Sequence, residues 1–503
     1  MDTIPLNQRN LKNISAPVKV PAYSRDALRP AIVHIGLGNF HRAHQAFFLD
    51  TLLAKGLTAS GIFEMNLIPD TFPLTKIAAE QDYLYTLIAK NGREEAIPQV
   101  IGSILGYVNA AADKEKAIAR IADAETSLVS LTITEKGYCR DTAAGDVDWK
   151  HPMIKHDLEH PGDPLSILGF LAAALSRRAA RGGAPLTIMS CDNFPSNGRI
   201  LKESLRSFCA QTCPDLSPWI TDMVSFPCSM VDRITPNTNA ALLSETEQKY
   251  GIADKWPVCC EDFIQWVLED DFRIPPKAGF DPRLFAAAGV QLAADVEPYE
   301  LMKMRLLNGS HSALAYLSYL MGYTDVADAA SDPLMRQFLR LHYMEEVTPT
   351  IPPVPGIDLT EYKDTLIKRF ANRAIGDAVL RLAEDGSQKI PNFVLKPLGD
   401  RVRSGAGNKA ILLALAGWAR FLEGTDEAGK PIPLKDPEGQ AVSRAAKIAG
   451  EEPEVFLKTI GIRDIDDRAF HKLSGVFKQY LESIHRQGTR KALEEFVSEK
   501  RVT

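Results

Sequence analysis

The sequence has few cysteines, no long apolar run and no large excess of charge. Its seven cysteines are an odd number without a Cys-x-x-Cys pair, which argues against a disulfide framework and a zinc ribbon. No apolar stretch approaches the roughly 18 residues of a transmembrane helix, and the first residues lack the charged-then-apolar order of a signal peptide. The net charge of −6 argues against a surface for nucleic acid or an anionic membrane. We therefore expect a reduced, cytoplasmic protein without nucleic-acid or membrane partners.

The 503 residues are too many for one hydrophobic core, so at least two domains are expected. In the first half, short apolar runs alternate with helical patterns, and the runs predict strands at 31–35, 61–67, 128–133 and 186–189. This alternation is typical of a parallel sheet covered on both faces. After about Pro282 the periodicity becomes helical, with helices predicted over 284–294, 299–321, 334–347, 359–382, 409–422, 453–459 and 467–484. We predict an α/β Rossmann-like N-terminal domain with a mainly parallel sheet (residues 1–290) and a mainly α-helical C-terminal domain (residues 291–503).

A glycine-rich turn, Gly36-Leu-Gly-Asn-Phe-His-Arg42, follows the first predicted strand. Two glycines let the backbone turn tightly and approach a pyrophosphate, which then lies at the N-terminus of the next helix. His41 replaces the third glycine of the usual fingerprint, so the motif alone fits a simple strand-to-helix turn equally well. Its place after the first strand of the alternating half favours dinucleotide binding. The predicted cofactor-binding residues here are Gly36, Gly38, Asn39, Phe40, His41 and Arg42.

An acidic residue is expected after the second strand, to accept hydrogen bonds from the adenosine ribose and to repel a 2′-phosphate. Asp70 lies somewhat late for this role and Glu64 lies within the strand, so the sequence leaves open which acid contacts the ribose. No Arg or Lys occurs between Gly61 and Leu74 to bind such a phosphate. Both acids favour NAD over NADP.

Four polar residues of one helical segment share less than half of its circumference: Glu300, Lys303, Asn308 and His311. At 100° per residue of an α-helix, Glu300, His311 and Asn308 fall about 60°, 80° and 140° from Lys303. They form either a buried polar network that holds two domains together or a set of catalytic groups. In the second interpretation, a desolvated lysine with a lowered pKa takes the proton of an alcohol. Amide groups then polarise the alcohol oxygen without changing its charge.

A second amide follows the fourth predicted strand, in Cys191-Asp-Asn193-Phe-Pro-Ser-Asn197-Gly198. This position is the carboxyl end of the sheet, where ligands of such folds bind. Asn193 could supply the amide, or it could form an Asx turn before Pro195. Asn197-Gly198 is interpreted as a helix cap.

At these residues the sequence resembles the long-chain polyol dehydrogenases, the mannitol dehydrogenase family, which also includes fructuronate and tagaturonate reductases. Val231-Asp-Arg-Ile-x-Pro236 and Lys303-x4-Asn308-x2-His311 are specific to that family. Further similar segments lie at 36–44, 81–84, 132–138 and 191–198, so the resemblance spans most of the chain. The second strand, 63–66, departs from a more glycine-containing pattern and leaves the ribose-binding acid unassigned.

The resemblance implies NAD-dependent oxidation of a polyol such as mannitol at C2 to the 2-ketose, and the reverse reduction. Lys303 is then the general base, and Asn193 and Asn308 stabilise the oxyanion. His311 and Asp232 hold substrate hydroxyls. The family needs no zinc, so no metal is predicted, and a monomer is favoured.

The resemblance also implies roles for four charged residues. Glu300 relays the proton of the lysine towards solvent, with Glu135 as its possible partner at the cofactor side. Arg401 and Lys409 bind substrate. From the residues alone, Arg401 and Lys409 could equally belong to a surface loop that caps the following helix, and Asp232 could form a structural ion pair with Arg233.

Two other functions stay open at this point. A fructuronate or tagaturonate reductase of the same family would use Arg401 and Lys409 for the carboxylate of its substrate. A nucleotide-binding sensor without catalysis is the alternative of another class, and the intact set of Lys303, Asn308 and His311 argues against it.

Overall fold

The computed structural model describes residues 3–69, 74–92, 96–141, 144–274, 279–463 and 465–499. The chain divides into two compact units, Met1–Glu297 and Pro298–Thr503. No helix in the described parts of the chain is both long enough and apolar enough to cross a lipid bilayer.

The first unit is built on a six-stranded parallel sheet. Its strands are β1 (Arg29–Ile35), β2 (Ser60–Asn66), β3 (Ile104–Asn109), β4 (Leu128–Leu131), β5 (Leu186–Ser190) and β6 (Val224–Ser225). They lie in the order β3-β2-β1-β4-β5-β6. Strand β1 is central, because Ile32 pairs with Ile62 on one side and with Leu128 on the other. This is the strand order of a dinucleotide-binding Rossmann fold, whose switch point lies between β1 and β4.

Helices cover both faces of this sheet. They are α1 (Asn39–Ala43), α2 (Gln45–Ala54), α3 (Leu74–Glu80), α4 (Lys114–Ala122), α5 (Pro152–Glu159), α6 (Ile167–Ala180), α7 (Asn197–Thr212) and α8 (Ser217–Met223). A further helix, α9 (Ala240–Tyr250), packs through Leu242 against Ile88 and Cys259 of a smaller sheet. One core packs α2 and Trp266 against the sheet, and the other packs α4, α6 and α7 against the opposite face. The strands are therefore apolar on both faces, as parallel strands between two helical layers must be.

Smaller sheets surround the main one. Ser229–Asp232 is antiparallel to Gln265–Glu269, which is parallel to Gln291–Ala293. Tyr85–Lys90 pairs with Ala96–Ile101 and Val258–Glu261, while Ile4–Pro5 with Ile252–Ala253 and Arg140–Asp141 with Asp146–Val147 form two-stranded sheets.

The second unit is helical. Its α-helices are α10 (Glu297–Met302), α11 (Gly309–Leu320), α12 (Val326–Ser331), α13 (Pro333–Gln337), α14 (Met344–Val347), α15 (Leu359–Phe370), α16 (Val379–Ala383), α17 (Gly386–Ile390), α18 (Lys396–Arg403), α19 (Lys409–Leu422), α20 (Gly439–Ile448), α21 (Pro453–Thr459), α22 (Asp467–Gln487) and α23 (Thr489–Ser498). Among the described residues, three π-helical segments interrupt this series, π1 (Lys303–Asn308), π2 (Phe338–Tyr343) and π3 (Pro391–Leu395). Helix α19 is buried on every side over Ala410–Ala419 and packs against α11 and α22.

The predicted fold class is confirmed, and the four predicted strands correspond to β1, β2, β4 and β5. The helix predicted over 284–294 is wrong. A 3-10 helix over Pro282–Ala288 ends at Gly289, whose φ is +103°, and Gln291–Ala293 then joins a sheet. The helix predicted over 359–382 is interrupted after Phe370, because the chain turns through Gly376 at φ +62°.

Candidate functional site

The glycine turn leaves the sheet at the end of β1. Gly36 has φ +115°, and a Cβ there would lie 2.1 Å from the carbonyl oxygen of Thr132. No other residue fits such a position. By contrast, a Cβ at Gly38 would meet nothing closer than 3.8 Å. The space beside the α-carbon of Gly38 is therefore open to a ligand group such as a pyrophosphate.

His41, which stands in place of the third glycine, fills the space between α1 and the sheet. Its ring stacks on His34 of β1 with a centroid distance of 3.4 Å and an interplanar angle of 14°. Its Nε2 lies 2.6 Å from Oε1 of Glu64 on β2, in a contact that is short but poorly aligned for a hydrogen bond. All three side chains are fully buried or nearly so. We call His34, His41 and Glu64 the buried triad.

Burial determines the protonation of the buried triad. It raises the pKa of Glu64 to about 8. Burial, followed by the charge of Arg42, lowers the pKa of His41. Burial therefore favours the uncharged forms of both His41 and Glu64, since a low-dielectric interior disfavours their charged forms.

The buried triad also brings together three potential metal ligands, whose atoms lie within 4.8 Å of one another. Its geometry does not suit an ion. Nδ1 of His34 is 2.8 Å from the Ser130 hydroxyl and Nε2 is 2.9 Å from the Thr132 hydroxyl. Direct contact between His41 and Glu64 leaves no space for a metal between them. The triad is better explained as packing beneath the glycine turn.

Asn39 and Arg42 are bound to the protein rather than displayed on its surface. The guanidinium of Arg42 is buried, stacks 3.3 Å from the Trp256 ring centroid and donates to the Trp256 carbonyl and to Asn39 Oδ1. The amide nitrogen of Asn39 is 3.2 Å from the Pro236 carbonyl oxygen. The Arg42 and His41 side chains are both buried in the first unit. Their assignment to cofactor binding stays a prediction.

Of the two acids proposed for the ribose, Glu64 has no exposed surface. A fully buried carboxyl beside His41 cannot accept a hydrogen bond from a bound ribose. Asp70 lies outside the described residues, so its role stays a prediction. Phe40 is half-buried at the start of α1 and stacks on His44 at a centroid distance of 4.9 Å.

The loop after β5 is fixed to the loop after β4. Asp192 accepts hydrogen bonds from the backbone N–H of Ile133 (3.0 Å) and Thr134 (2.9 Å). Its neighbour Asn193 is exposed, and so is Glu135, which begins the short 3-10 helix after β4. Both predicted site residues therefore lie in loops at the carboxyl edge of the sheet, at the end that binds ligands in this fold.

Asn197 is not a helix cap. It is the first residue of α7, and its side chain donates to the Asp192 carbonyl (3.0 Å) and to the Ser229 carbonyl (2.8 Å). It also accepts from the Ser229 N–H at 3.0 Å. This buried amide joins the loop after β5 to the strand Ser229–Asp232, which ends at the predicted substrate residue Asp232.

Arg233, the residue after Asp232, belongs to the scaffold of this edge. Its buried guanidinium donates to the Ala43 carbonyl at 2.5 Å and to the Glu261 carbonyl at 3.0 Å. The strand that carries Asp232 is thereby tied to the end of α1.

In the second unit, Lys303 opens the segment π1. Glu300, Lys303 and Asn308 are only 3%, 6% and 8% exposed. The angles derived for an α-helix are wrong here, because a π turn closes between residues five apart. Asn308 therefore lies one π turn beyond Lys303, on a similar side of the helix. His311, in the first turn of α11, packs on Phe370 at a ring-centroid distance of 4.2 Å.

The three π segments meet around Gly309, directly after π1. A Cβ at Gly309 would lie 2.8 Å from the hydroxyl of Tyr343 at the end of π2 and 3.0 Å from the carbonyl oxygen of Phe393 in π3. π segments inside α-helices are frequent at functional sites. The backbone around Lys303 is held in this form by long-range packing.

Arg401 and Lys409 flank a short loop between α18 and α19. Nε of Arg401 donates to the Gly407 carbonyl at 2.7 Å, and Nζ of Lys409 pairs with Glu499 at 3.2 Å. The preceding Asp400 binds Arg305 of π1 at 2.6 Å, and Arg305 also donates to the Thr350 carbonyl. The loop is thus connected directly to the segment that contains Lys303.

Glu346 caps the N-terminus of helix α19, a contact that the local sequence does not indicate. Its carboxylate accepts the backbone N–H of Ala410 (2.8 Å) and of Ile411 (3.3 Å) at the start of α19. Burial raises the pKa of Glu346 to about 7, while these hydrogen bonds and the charges of Arg401 and Lys409 oppose the shift. No local pattern could have identified Glu346 or Arg305, since their partners lie tens of residues away in the sequence.

Together these features define a protein of the Rossmann class with a second, helical unit. Two family models match the chain, the mannitol dehydrogenase Rossmann domain over residues 30–277 and the mannitol dehydrogenase C-terminal domain over residues 295–485. The chain belongs to the mannitol dehydrogenase family, and the predicted family is confirmed.

Its relatives are similar along their whole length. A mannitol 2-dehydrogenase of Aspergillus fumigatus is 37% identical, covering 99% of this chain and 100% of the relative. The Pseudomonas fluorescens mannitol 2-dehydrogenase, solved as a ternary complex with NAD and D-mannitol, has a TM-score of 0.88 and 38% identity, covering 99% of this chain and 100% of that chain. A D-sorbitol dehydrogenase solved in substrate-free form has a TM-score of 0.86 and 32% identity, covering 97% and 100%.

The buried triad predicts an unusual dependence of stability on pH. Glu64 ionises near 4.5 when unfolded and near 8 when folded. Between these values only the unfolded state loses the proton, so the contribution of Glu64 to stability falls as pH rises. We expect the stability of wild type relative to Glu64→Gln to decrease from pH 5 to pH 8.5, measured by thermal unfolding of both proteins.

The control for this measurement is Glu125→Gln, which removes an exposed carboxylate. It should give a difference from wild type that hardly changes over the same pH range. A difference for Glu64→Gln that stays constant or increases with pH would show that Glu64 is ionised in the folded protein.

Proposed function

We propose that this chain oxidises a polyol such as mannitol at C2 to the 2-ketose, and catalyses the reverse reduction. The predicted enzyme class, an NAD-dependent polyol dehydrogenase, and the predicted cofactor are confirmed by the match to the family over both units. The choice of mannitol rests on one observation, the 38% identical relative solved with NAD and D-mannitol. The predictions that the protein is a monomer and that it is cytoplasmic stay predictions.

We assign cofactor binding to the first unit and proton chemistry to the second, with the division predicted at residue 290. NAD, when bound, supplies the acceptor for the hydride that leaves C2. The open side of Gly38 and the tight turn at Gly36 suit a pyrophosphate. Glu135 and Asn193 extend the proposed cofactor and substrate contacts along the same edge of the sheet.

Lys303 is the proposed general base. Oxidation of a secondary alcohol requires removal of the hydroxyl proton as the hydride leaves, and a neutral amine can accept it. The burial of Lys303 supports this role, because desolvation disfavours an ammonium group. The amide groups of Asn193 and Asn308 donate hydrogen bonds to the alkoxide oxygen as its charge develops.

Other polar groups are assigned to the substrate and to proton release. His311 and Asp232 hold hydroxyl groups next to the reacting carbon. Glu300, buried one turn before Lys303, relays the proton of the lysine towards solvent. These roles are carried over from the family resemblance, and the burial of Glu300 beside a proposed base is consistent with a relay.

The charges around Arg401 and Lys409 favour a polyol over a keto-uronate. Lys409 is already paired with Glu499, and Glu346 places a second carboxyl near both cations. A substrate carboxylate would have to compete with these acids, whereas neutral hydroxyls would not. A fructuronate or tagaturonate reductase is therefore the second candidate, and a catalytically inactive sensor is the third.

Replacing Lys303 tests the proposed chemistry. Lys303→Ala should lower kcat by about 10² to 10⁴-fold, because general-base catalysis typically contributes that much. NADH binding, followed by fluorescence, should be nearly unchanged. Lys303→Arg should be equally slow although it keeps the positive charge, since a guanidinium does not deprotonate in proteins.

The control is Lys368→Ala, an exposed lysine of the second unit. It should leave kcat near the wild-type value. Small primary amines added to Lys303→Ala should restore part of the activity. If Lys303→Ala keeps more than about a tenth of the wild-type kcat, the lysine is not the base.

An NADH-oxidation screen separates the candidate substrates. We expect the highest kcat/KM with fructose, and lower values with xylulose, tagatose, fructuronate and tagaturonate. A preference for either keto-uronate would assign the chain to the reductases of the family, and no turnover with any of the five would favour the sensor.

The cofactor preference should be for NAD. Asp70→Ser should raise kcat/KM for NADP, because it removes the predicted repulsion of the 2′-phosphate. Glu64→Gln should leave the ratio of kcat/KM for NAD and NADP unchanged, since Glu64 is buried. A wild-type preference for NADP would contradict the interpretation of this end of the site.

A further inference from the structure

Two cysteines lie one helical turn apart at the end of α7. Cys209 is fully buried, and Cys213, the residue that ends the helix, is partly exposed. The backbone N–H of Cys213 donates to the Cys209 carbonyl at 2.8 Å. Residues four apart in a helix have Cα atoms about 6 Å apart. That separation lies within the range of disulfide-bonded cysteines.

Hydrogen-bonding groups surround the sulfur of Cys213. The Cys209 thiol, the Thr212 hydroxyl and the Ser176 hydroxyl all interact with it. The Thr212 oxygen lies 3.5 Å from the sulfur. The hydrogen bond from Cys209 is the main cause that lowers the pKa of Cys213, while the pKa of Cys209 is raised. The thiolate therefore forms preferentially on the more exposed of the two sulfurs.

Cys213 also faces a cavity of about 340 Å³ between α4, α6 and α7. Its wall includes Ala173 and Gly162, and a Cβ at Gly162 would meet no atom within 4 Å, so there is space for a small molecule on that side. Arg177 contributes to the wall but is held by Glu115 at 2.5 and 2.8 Å. A small uncharged oxidant such as hydrogen peroxide can reach a sulfur placed in this way.

We propose that Cys213 and Cys209 form a reversible disulfide when the protein meets hydrogen peroxide. The Cys213 thiolate attacks one oxygen of peroxide, the O–O bond breaks, and Cys213 becomes a sulfenic acid while hydroxide leaves. The sulfur of Cys209 then attacks the sulfenic sulfur. The S–S bond forms, the S–O bond breaks, and the oxygen departs as water with the Cys209 proton. Two thiols are oxidised and one peroxide is reduced to water.

The end of a helix can accommodate this bond. Cys213 already has non-helical backbone angles, with φ −152° and ψ 65°, and terminal turns adjust more easily than helix interiors. Helix α7 spans 16 residues, about 24 Å at 1.5 Å per residue, and begins at the loop that carries Asn193. The dithiol therefore lies at the opposite end of α7 from the proposed site.

The proposal is tested on the reduced, full-length protein with increasing hydrogen peroxide. Cleavage after Phe208 and Trp219 yields one peptide that contains both cysteines, and we expect it to lose two hydrogen atoms and to recover them with dithiothreitol. At pH 7, iodoacetamide should label Cys213 about tenfold or more faster than the buried Cys139, because the thiolate is the reactive form.

Two variants separate the steps. Cys209→Ser should stop at a sulfenic acid on Cys213 that dimedone traps, and Cys213→Ser should give neither product while keeping wild-type activity under reducing conditions. Cys139→Ser, a buried cysteine outside the pair, should form the disulfide like wild type. The proposal is overturned if Cys213 reacts no faster than Cys139, or if peroxide converts it to sulfinic acid without a disulfide to Cys209.

Discussion

The carbonyl oxygen of Thr132 lies so close to Gly36 that only a residue without a side chain can occupy this position. The contact lies where β1 and β4 diverge, and it fixes how the chain leaves the sheet. The hydroxyl of Thr132 donates its hydrogen to the Gly36 carbonyl and lies 2.9 Å from Nε2 of His34, so the same threonine holds both sides of the turn. From this point Asp192 binds the next two backbone N–H groups, and Asn197 continues the chain of contacts to Ser229. The loops that carry Asn193 and Asp232 are thus located by one continuous hydrogen-bonded edge.

Replacement of the third glycine by His41 changes how the helix packs on the sheet. A glycine there would allow close contact between helix and strand, whereas an imidazole needs a place of its own. The His41 ring is accommodated by stacking on His34 of β1 and by contact with Glu64 of β2. Because the three groups are buried, their neutral forms are favoured and no ion pair is needed. Glu64, an acid within a parallel strand, therefore contributes to the packing beneath the glycine turn. The adenosine ribose of NAD needs a different hydrogen-bond acceptor.

Much of the first unit could be predicted from the sequence because its signals are local. Apolar runs locate β1, β2, β4 and β5, and the glycine pair locates the turn. Prediction from these local patterns failed where a side chain's contacts are with residues far away in the sequence. The sequence indicates an acid at Glu64 but not its burial against His41, and it indicates Asn197 at a helix start but not its bonds to Ser229. The segment Gln291–Ala293 is a strand that pairs with Gln265–Glu269, a partner that its local sequence does not indicate.

The segment around Lys303 shows the same limit in the second unit. Periodicity correctly places Lys303, Asn308 and His311 on one long helix, but the α-helical angle between Lys303 and Asn308 depends on local geometry that the sequence does not specify. Gly309 permits Tyr343 and Phe393 to approach within van der Waals distance, and the helix widens into a π turn directly before it. Arg305 then fixes the widened turn to Asp400, next to Arg401. The segment that contains Lys303 and Asn308 is in this way joined, within a single unit, to a basic loop that lies almost a hundred residues further along the chain.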